Sequence, residues 1–450
     1  MGVRVLHAAD LHLGSPLRAV EDASGSLAEE LGRATYEAFR RVIGVALERE
    51  VDLVVLAGDL YDREARSVRA TDFLIEQFDR LADAGVPCYV VHGNHDPLGE
   101  GAESLDLPGN VTVFGAGAVE TAHYPDEGAP EVRILGRSYG ARHESDARLE
   151  GYAPPDRTVP NVGLLHTGLN PDGRRYAPCS PADLASTGID YWALGHIHAP
   201  GAVDGAPAAY AGIPQGRHVG DASVGGCLVA EVEPRHEPDL EFVPTSPIVW
   251  RRLAIDVGEA TRPDGGALRN LSDVEAVAEE RALVLRETDY AGFCDEVDLP
   301  VADVDWDVEG VVCRWELTGR GEPSETLDAE ATAVLAERLR DRLGGGSPFV
   351  WTESVRDRTA APLPDAETLI AEDEVIGELV ALAEELRTDP DARADFRADA
   401  GAVWEWVDDP DRETVPADRL ALDPDRLDDL LERAARRAID ELATGRREGR

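Results

Sequence analysis

Short, almost unbroken apolar runs alternate with longer segments of helical period through the first half of the chain, and that alternation predicts an α/β domain. Val3 to Ala8, Leu53 to Ala57, Cys88 to Val91, Val162 to Leu165 and Tyr191 to Leu194 are apolar runs of strand type. Between the first three, Tyr36, Phe39, Ile43 and Leu47 form one stripe, and Phe73, Leu74, Phe78 and Leu81 a second, so an amphipathic helix is expected in each gap. A last strand from Gly226 to Val232 is followed by Pro234 and Pro238, where the pattern breaks. The first domain is therefore read as 1–245.

From about Val249 the period changes. Leu253, Ile255 and Val257 alternate with polar residues, as do Val311, Cys313, Trp315 and Leu317, with Arg314 and Glu316 facing the other way. Leu327, Ala331, Leu335, Leu339 and Leu343 then predict a helix that ends at Gly344-Gly345-Gly346, giving a small α+β domain over 249–350. The remainder, 362–450, reads as acidic and helical. One helix is expected near Leu369 to Leu386 and another after Asp423-Pro424, where Leu427, Leu430, Leu431, Ala434, Ala435, Ala438 and Leu442 form a stripe flanked by Arg433, Arg436 and Arg437. That stripe must be covered, either by its own domain or by the helices of a partner.

Composition sets the surroundings. The chain has 450 residues and 43% apolar positions, which is ample for a core and argues against disorder. Its formal net charge is -45, with 89 acidic residues against 44 basic ones. All of the basic residues are arginine, and so acidic and lysine-free a surface points to a halophilic, high-salt cytoplasm. At about 1 M salt the Debye length is only roughly 3 Å, so this charge does not exclude DNA. Cys88, Cys179, Cys227, Cys294 and Cys313 show no paired spacing and read as buried, reduced thiols. The first strand starts without a signal-type apolar segment and no run approaches the ~20 residues that span a bilayer, so a cytoplasmic protein with no membrane partner is expected.

Five short motifs carry the chemistry: Asp10-Leu11-His12, Gly58-Asp59-Leu60-Tyr61-Asp62, Gly93-Asn94-His95-Asp96, His166, and Gly195-His196-Ile197-His198. Each follows an apolar strand, so all five are expected at one sheet edge, outside the carboxyl ends of the strands. Carboxylates, imidazoles and one amide, without thiolate, suit two divalent ions of the manganese, iron or zinc type, probed first as Mn2+. Asp59, lying between two clusters of terminal ligands, is the expected bridge. Asp10, His12 and His198 would complete one ion, and Asn94, His166 and His196 the other. The His196-x-His198 pair is expected on an extended segment with both rings on one side.

His95 directly follows Asn94 and is read as the group that donates a proton to the leaving oxygen, with Asp62 holding its other nitrogen. A hydroxide held between the ions would be the attacking group. A lone His or Asp at a strand end is more often structural, and Gly58, Gly93 and Gly195 can serve tight turns, but five such motifs in order are hard to obtain from turn chemistry alone. His7, His92, His123, His143 and His236 lack this context and read as structural.

As a set, the motifs resemble the calcineurin-like metallophosphoesterase superfamily over roughly 1–245. The segments at 7–16, 57–62 and 212–218, the last being Gly-Ile-Pro-Gln-Gly-Arg-His, are similar to the DNA repair exonuclease branch, the SbcD, YhaO and Mre-eleven group. The resemblance implies a metallophosphoesterase β-sandwich flanked by helices, with the small α+β unit at 249–350 as its capping domain, and a manganese-dependent 3'-to-5' exonuclease with endonuclease activity in double-strand-break repair. It also implies DNA and an SMC-like coiled-coil ATPase of the SbcC, YhaN or Rad-fifty type as partners, and it allows a homodimer. Several members carry His where this chain has Asp62, and that His contacts the substrate phosphate, so the contact does not transfer to this position. Arg217 or His218 would supply it, with a turn-stabilising role for Arg217 equally open. Two other readings compete: a phosphodiesterase or phosphatase acting on small nucleotides, and a mainly architectural partner of the ATPase.

Overall fold

The computed structural model describes residues 2–360 apart from 18–24, 63–66, 100–105, 126–127, 155–156, 170–174, 222–223 and 289, together with 362, 378 and 382. By contact the chain divides into Met1–Ala361 and Pro362–Arg450. The helix expected after Asp423-Pro424 lies outside the described residues, as does all but Glu378 and Leu382 of the one expected near 369–386.

Met1–Ala361 begins with β1 (Val3–Ala8), α1 (Ser26–Glu48), β2 (Leu53–Ala57), α2 (Val68–Asp83), β3 (Cys88–Val91) and β4 (Val111–Val113). It continues with β5 (Glu120–Tyr124), β6 (Val132–Gly136), β7 (Asn161–His166), α3 (Pro181–Ser186), β8 (Tyr191–Gly195), β9 (Gly201–Ala202) and β10 (Ala208–Tyr210). Next come β11 (Gly226–Val232), β12 (Asp239–Pro244), β13 (Ile248–Asp256), α4 (Leu271–Glu287), β14 (Gly310–Thr318), α5 (Ala329–Leu343) and β15 (Phe349–Asp357).

Two six-stranded sheets, in the orders β12-β11-β1-β2-β3-β4 and β5-β6-β7-β8-β10-β9, stack to form the sandwich. Strands β1 to β4 run parallel, as do β6, β7, β8 and β10. Val5, Val55 and Val91 of the first sheet meet Val162, Leu164 and Ala193 of the second in the shared interior. The alternate residues Leu6, Ala8, Val54 and Leu56 face outward under Phe39, Ile43, Leu74 and Phe78 of α1 and α2. Covered on both faces, such strands read as continuous apolar runs rather than as alternation. The outer face of the second sheet is closed by Tyr139, Tyr152, Leu184 and Trp192. Burial of side chains this large stabilises by roughly 1.5 to 3 kcal/mol each.

The third sheet, β13-β14-β15, is parallel, with α4 and α5 as its crossovers. One face holds Val311, Cys313, Trp315 and Leu317 in contact with the core that includes Val274, Val277, Leu335 and Leu339. The other face presents Trp250, Val312, Phe349 and Trp351 to Leu27, Leu31 and Ala34 of α1 and to Val219. The helices are capped by side chains where the sequence supplies them: Ser67 accepts from Ala70 N at 3.2 Å, Asn270 from Asp273 N at 3.1 Å, and Asp328 from Ala331 N at 2.7 Å. All five cysteines are buried and free. No helix among the described residues is long and apolar enough to cross a membrane.

Candidate metal centre

The strand runs predict a single sheet edge, but the structure divides the five motifs between two sheets. Asp10 and His12 follow β1, Asp59 follows β2, and Asn94 and His95 follow β3 in the first sheet. His166 closes β7, and His196 and His198 follow β8, in the second. The two edges touch: His166 Nδ1 lies 2.9 Å from the carbonyl of Ala57. This contact explains the motif glycines better than turn geometry does. A Cβ on Gly93 would lie 2.2 Å from Asp59 Oδ1, and one on Gly195 would lie 2.0 Å from the Ala57 carbonyl. Only hydrogen can stand where these segments cross.

The backbone is strained at the same spot. Asp10, His12, Asp59 and His196 take φ of 53°, 41°, 52° and 98°, a region that costs a residue with a side chain about 1 to 3 kcal/mol. Backbone bonds hold the first three: Asp10 N donates to Gly58 O at 3.0 Å, His12 N to Asp59 O at 3.1 Å and Leu13 N to Leu60 O at 2.9 Å. The φ of His196 also corrects one expectation, because the His196-x-His198 pair has left the strand and is not extended.

Asp59 Oδ1 accepts from His95 N at 2.8 Å, while Oδ2 faces His166 Nε2 at 3.4 Å and His12 Nε2 at 4.0 Å. Asn94 Oδ1 sits 3.0 Å from His166 Nε2 and 3.1 Å from His196 Nδ1. His198 Nε2 lies 3.9 Å from Asp10 Oδ1, and Asp10 also accepts from His196 N at 2.9 Å. Two ligand atoms at right angles, each about 2.1 Å from a common ion, stand roughly 3 Å apart, so these separations suit shared cations.

A ring of carboxylates orients the imidazoles. Asp62 Oδ1 receives His12 Nδ1 at 2.9 Å and His95 Nδ1 at 2.5 Å, while Oδ2 receives Ser15 Oγ and Arg217 NH1, each at 2.6 Å. Contacts this short leave no room for an ion among His12 Nδ1, Asp62 and His95, which form a hydrogen-bonded cluster. Asp96 bridges two loops, accepting from Leu60 N at 2.9 Å and Gly93 N at 2.8 Å. Asp221 Oδ1 lies 2.7 Å from His198 Nδ1. His218 is engaged in its own turn, its Nδ1 accepting from Gly220 N at 3.0 Å. Sequence reasoning missed Ser15, Asp96 and Asp221; Asp96 ends a motif and could have been weighed, whereas Asp221 carries no local signal.

The electrostatics follow this wiring. Burial pushes the Asp59 carboxyl up, but His166 and His12 beside it outweigh burial and hold it well below the carboxylate range. Partial burial pushes the Asp62 carboxyl up, but the hydrogen bonds from His12 and His95 outweigh it and hold it well below the carboxylate range. Burial, joined by the charge of His166, lowers His196 to about 4, so its ring stays neutral, the form that ligates. Burial lowers His166, yet Asp59 reverses this and carries it up to about 9, so an ion entering there displaces a proton. For His95 the Asp62 hydrogen bond dominates and raises the ring.

One atom tests whether divalent cations fit. His12 Nε2 is fully buried and has no hydrogen-bond partner among the described residues, although the Nδ1 of the same ring is satisfied by Asp62. An orphaned ring nitrogen facing a carboxylate 4.0 Å away is a costly arrangement without a ligand and the expected one with a cation. The donor set of carboxylate, imidazole and amide fits the same group.

Calcineurin-like phosphoesterases match residues 3–200 as a family. The uncharacterized metallophosphoesterase YhaO of Bacillus subtilis is 30% identical over 358 residues, 79% of this chain and 81% of YhaO. The DNA double-strand break repair protein Mre11 of Aeropyrum pernix is 28% identical over 283 residues, 59% of this chain and 66% of that protein. Mre11 of Methanopyrus kandleri is 28% identical over 236 residues, 47% of this chain and 49% of that protein. With its carboxylates and imidazoles gathered into clusters able to hold a metal ion, the chain belongs to the calcineurin-like metallophosphoesterase family and is a metal-dependent phosphoesterase.

Proposed function

We propose that the chain is a DNA phosphodiesterase, a manganese-dependent 3'-to-5' exonuclease with endonuclease activity that serves double-strand-break repair beside an SMC-like coiled-coil ATPase. The observation that carries this reading is the similarity to DNA double-strand break repair proteins, which in the Aeropyrum pernix case spans 283 residues and so extends past the 198 residues of the family match at 3–200. Asp10, His12 and His198 would hold one ion and Asn94, His166 and His196 the other, with Asp59 shared. Ions held there supply positive charge for the phosphoryl oxygens and acidify a water molecule. Manganese is favoured over magnesium because imidazoles outnumber carboxylates in this set.

The chain's own residues do the rest. His95 is held by Asp62 through Nδ1 at 2.5 Å, which favours the protonated ring and leaves Nε2 to protonate the leaving oxygen. Arg217 keeps NH1 on Asp62 at 2.6 Å, while its Nε is buried without a partner among the described residues. A non-bridging phosphate oxygen would satisfy such a guanidinium. We assign the phosphate contact to Arg217 and not to His218, whose ring is tied into its own turn.

The test is hydrolysis of end-labelled single- and double-stranded DNA by the full chain with Mn2+ at molar potassium chloride. Activity that vanishes in Asp59→Ala and His196→Ala while the metal-free fold persists supports the reading. Activity that survives chelation and dialysis overturns it, and cleavage of small nucleotides with DNA left intact replaces it with the small-nucleotide phosphodiesterase.

A further inference from the structure

Pro214 to Asp221 form a turn between β10 and β11 that is held from two directions. On one side the third sheet grips it. Gln215 donates from Nε2 to Ile248 O at 2.9 Å and accepts from Ile248 N at 3.1 Å. Trp250 Nε1 donates to Gly216 O at 2.8 Å, and Arg252 NH2 to Val219 O at 3.1 Å. On the other side the turn reaches the metal centre through Arg217, on Asp62, and through Asp221, on His198.

Asp221 is the residue in which these contacts meet. Its side chain is 3% exposed. Its Oδ2 accepts the backbone N–H of Arg217 at 2.7 Å and of His218 at 3.2 Å, and its own N–H donates to His218 O at 2.9 Å. The other oxygen, Oδ1, is 2.7 Å from His198 Nδ1 and 3.6 Å from His218 Nε2. Both carboxylate oxygens therefore act as acceptors, one toward the turn and one toward the ring.

We propose that Asp221 is a positioning residue of the metal centre: it keeps the proton of His198 on Nδ1, so that Nε2 presents its lone pair to the cation beside Asp10, and it locks the turn that carries Arg217. The inference rests on the metal-centre reading above. Its chemistry makes a sharp distinction between carboxylate and amide. Asparagine has one acceptor oxygen where two are used. If the oxygen stays on the backbone N–H groups, the amide NH2 faces His198 Nδ1 and drives the proton to Nε2, the tautomer that cannot ligate. If the oxygen turns to His198, the NH2 opposes two backbone donors and the turn is released. A partner that fixes a ligating His in this way is commonly worth about 10- to 100-fold in metal affinity.

The experiment uses the full chain, freed of metal, with 15N-labelled histidine, and Mn2+ alone as the probe. At a pH where the ring is neutral, two-bond 15N–1H correlations should place the His198 proton on Nδ1 in the wild type. Calorimetric titration should find one Mn2+ site weakened about 10- to 100-fold in Asp221→Asn, with the metal-free thermal midpoint within a few degrees of wild type. Asp221→Glu, which retains two acceptor oxygens, should recover affinity toward wild type. A wild-type His198 protonated on Nε2, or unchanged Mn2+ affinity in Asp221→Asn, overturns the proposal. An Asn variant that unfolds without metal overturns it too unless Asp221→Glu folds and binds Mn2+ as wild type. None of these readouts involves DNA, so a chain that passes them and leaves DNA intact counts against the nuclease reading alone.

Discussion

Asp62 and His95 are joined by a hydrogen bond of 2.5 Å between the carboxylate Oδ1 and the ring Nδ1. The bond raises the pKa of His95 above its ordinary value and leaves Nε2 as the nitrogen able to deliver a proton. It is one of four contacts on the same carboxylate, which also receives His12, Ser15 and Arg217. Asp62 thus couples the rings of His12 and His95 and the guanidinium of Arg217 to one negative charge.

His95→Asn is expected to keep both ions and DNA affinity while the single-turnover rate falls about 10²- to 10⁴-fold. Elemental analysis of the variant checks the assignment, since a lost ion would make His95 a ligand. The pH profile adds a second check. A raised His95 keeps its proton to higher pH, so the rate should decline on the alkaline side, and Asp62→Asn should move that decline to lower pH, whatever it does to the maximum.

Arg217→Ala is expected to weaken DNA binding about 10- to 100-fold, the scale of a charge-assisted hydrogen bond of roughly 1.5 to 3 kcal/mol, with Mn2+ stoichiometry unchanged. Arg217→Lys should recover part of this, because it restores the charge without the planar fork. Equal DNA affinity in the alanine variant and the wild type would leave Arg217 as a strut for Asp62 only.

His7 gives a stability prediction away from the centre. It is fully buried between Tyr191 OH at 2.8 Å and Leu194 O at 3.1 Å, and burial pushes its pKa down to about 3. An unfolded ring titrates near ~6.5, so between these values the unfolded chain binds a proton that the folded chain refuses. Stability from this group is therefore complete above pH ~6.5 and is lost as pH falls, by about 2 kcal/mol at pH ~5. Urea unfolding in chelator at pH 8 and pH 5 should show a smaller pH difference in His7→Gln than in wild type. The same difference in both proteins would contradict this.

Deleting the residues after Asp423 removes the leucine and alanine stripe and its flank of Arg433, Arg436 and Arg437. A basic flank on an acidic chain suits acidic coiled-coil residues, so the truncated subunit should retain its own nuclease activity and lose co-purification with the ATPase. Unchanged affinity for the ATPase would rule out docking by this segment.

In the sandwich β1, β2, β3, β7, β8 and β11 were legible because their signals are local, whereas β4, β5, β6, β9, β10 and β12 went unread. Leu6, Val54 and Phe39 are buried where their apolar periods place them, and the two expected helices became α1 and α2. In the third sheet the reading was poorer. Strand β15 went unread, and so did α4, which buries Val274, Val277 and Ala278 but leaves Leu283 and Val284 exposed, so its stripe is blurred. The five motifs could be read as metal chemistry from residue type and order alone. Tertiary structure decided what order does not encode: that two sheets rather than one bring the motifs together, and that Gly93 and Gly195 are glycines because other segments occupy the space of a Cβ. It also decided that Arg217 meets Asp62 across 155 positions and that Asp221 meets His198. A periodicity reports which face of its own element a residue occupies, whereas a hydrogen bond between two loops depends on where the whole core has set their ends.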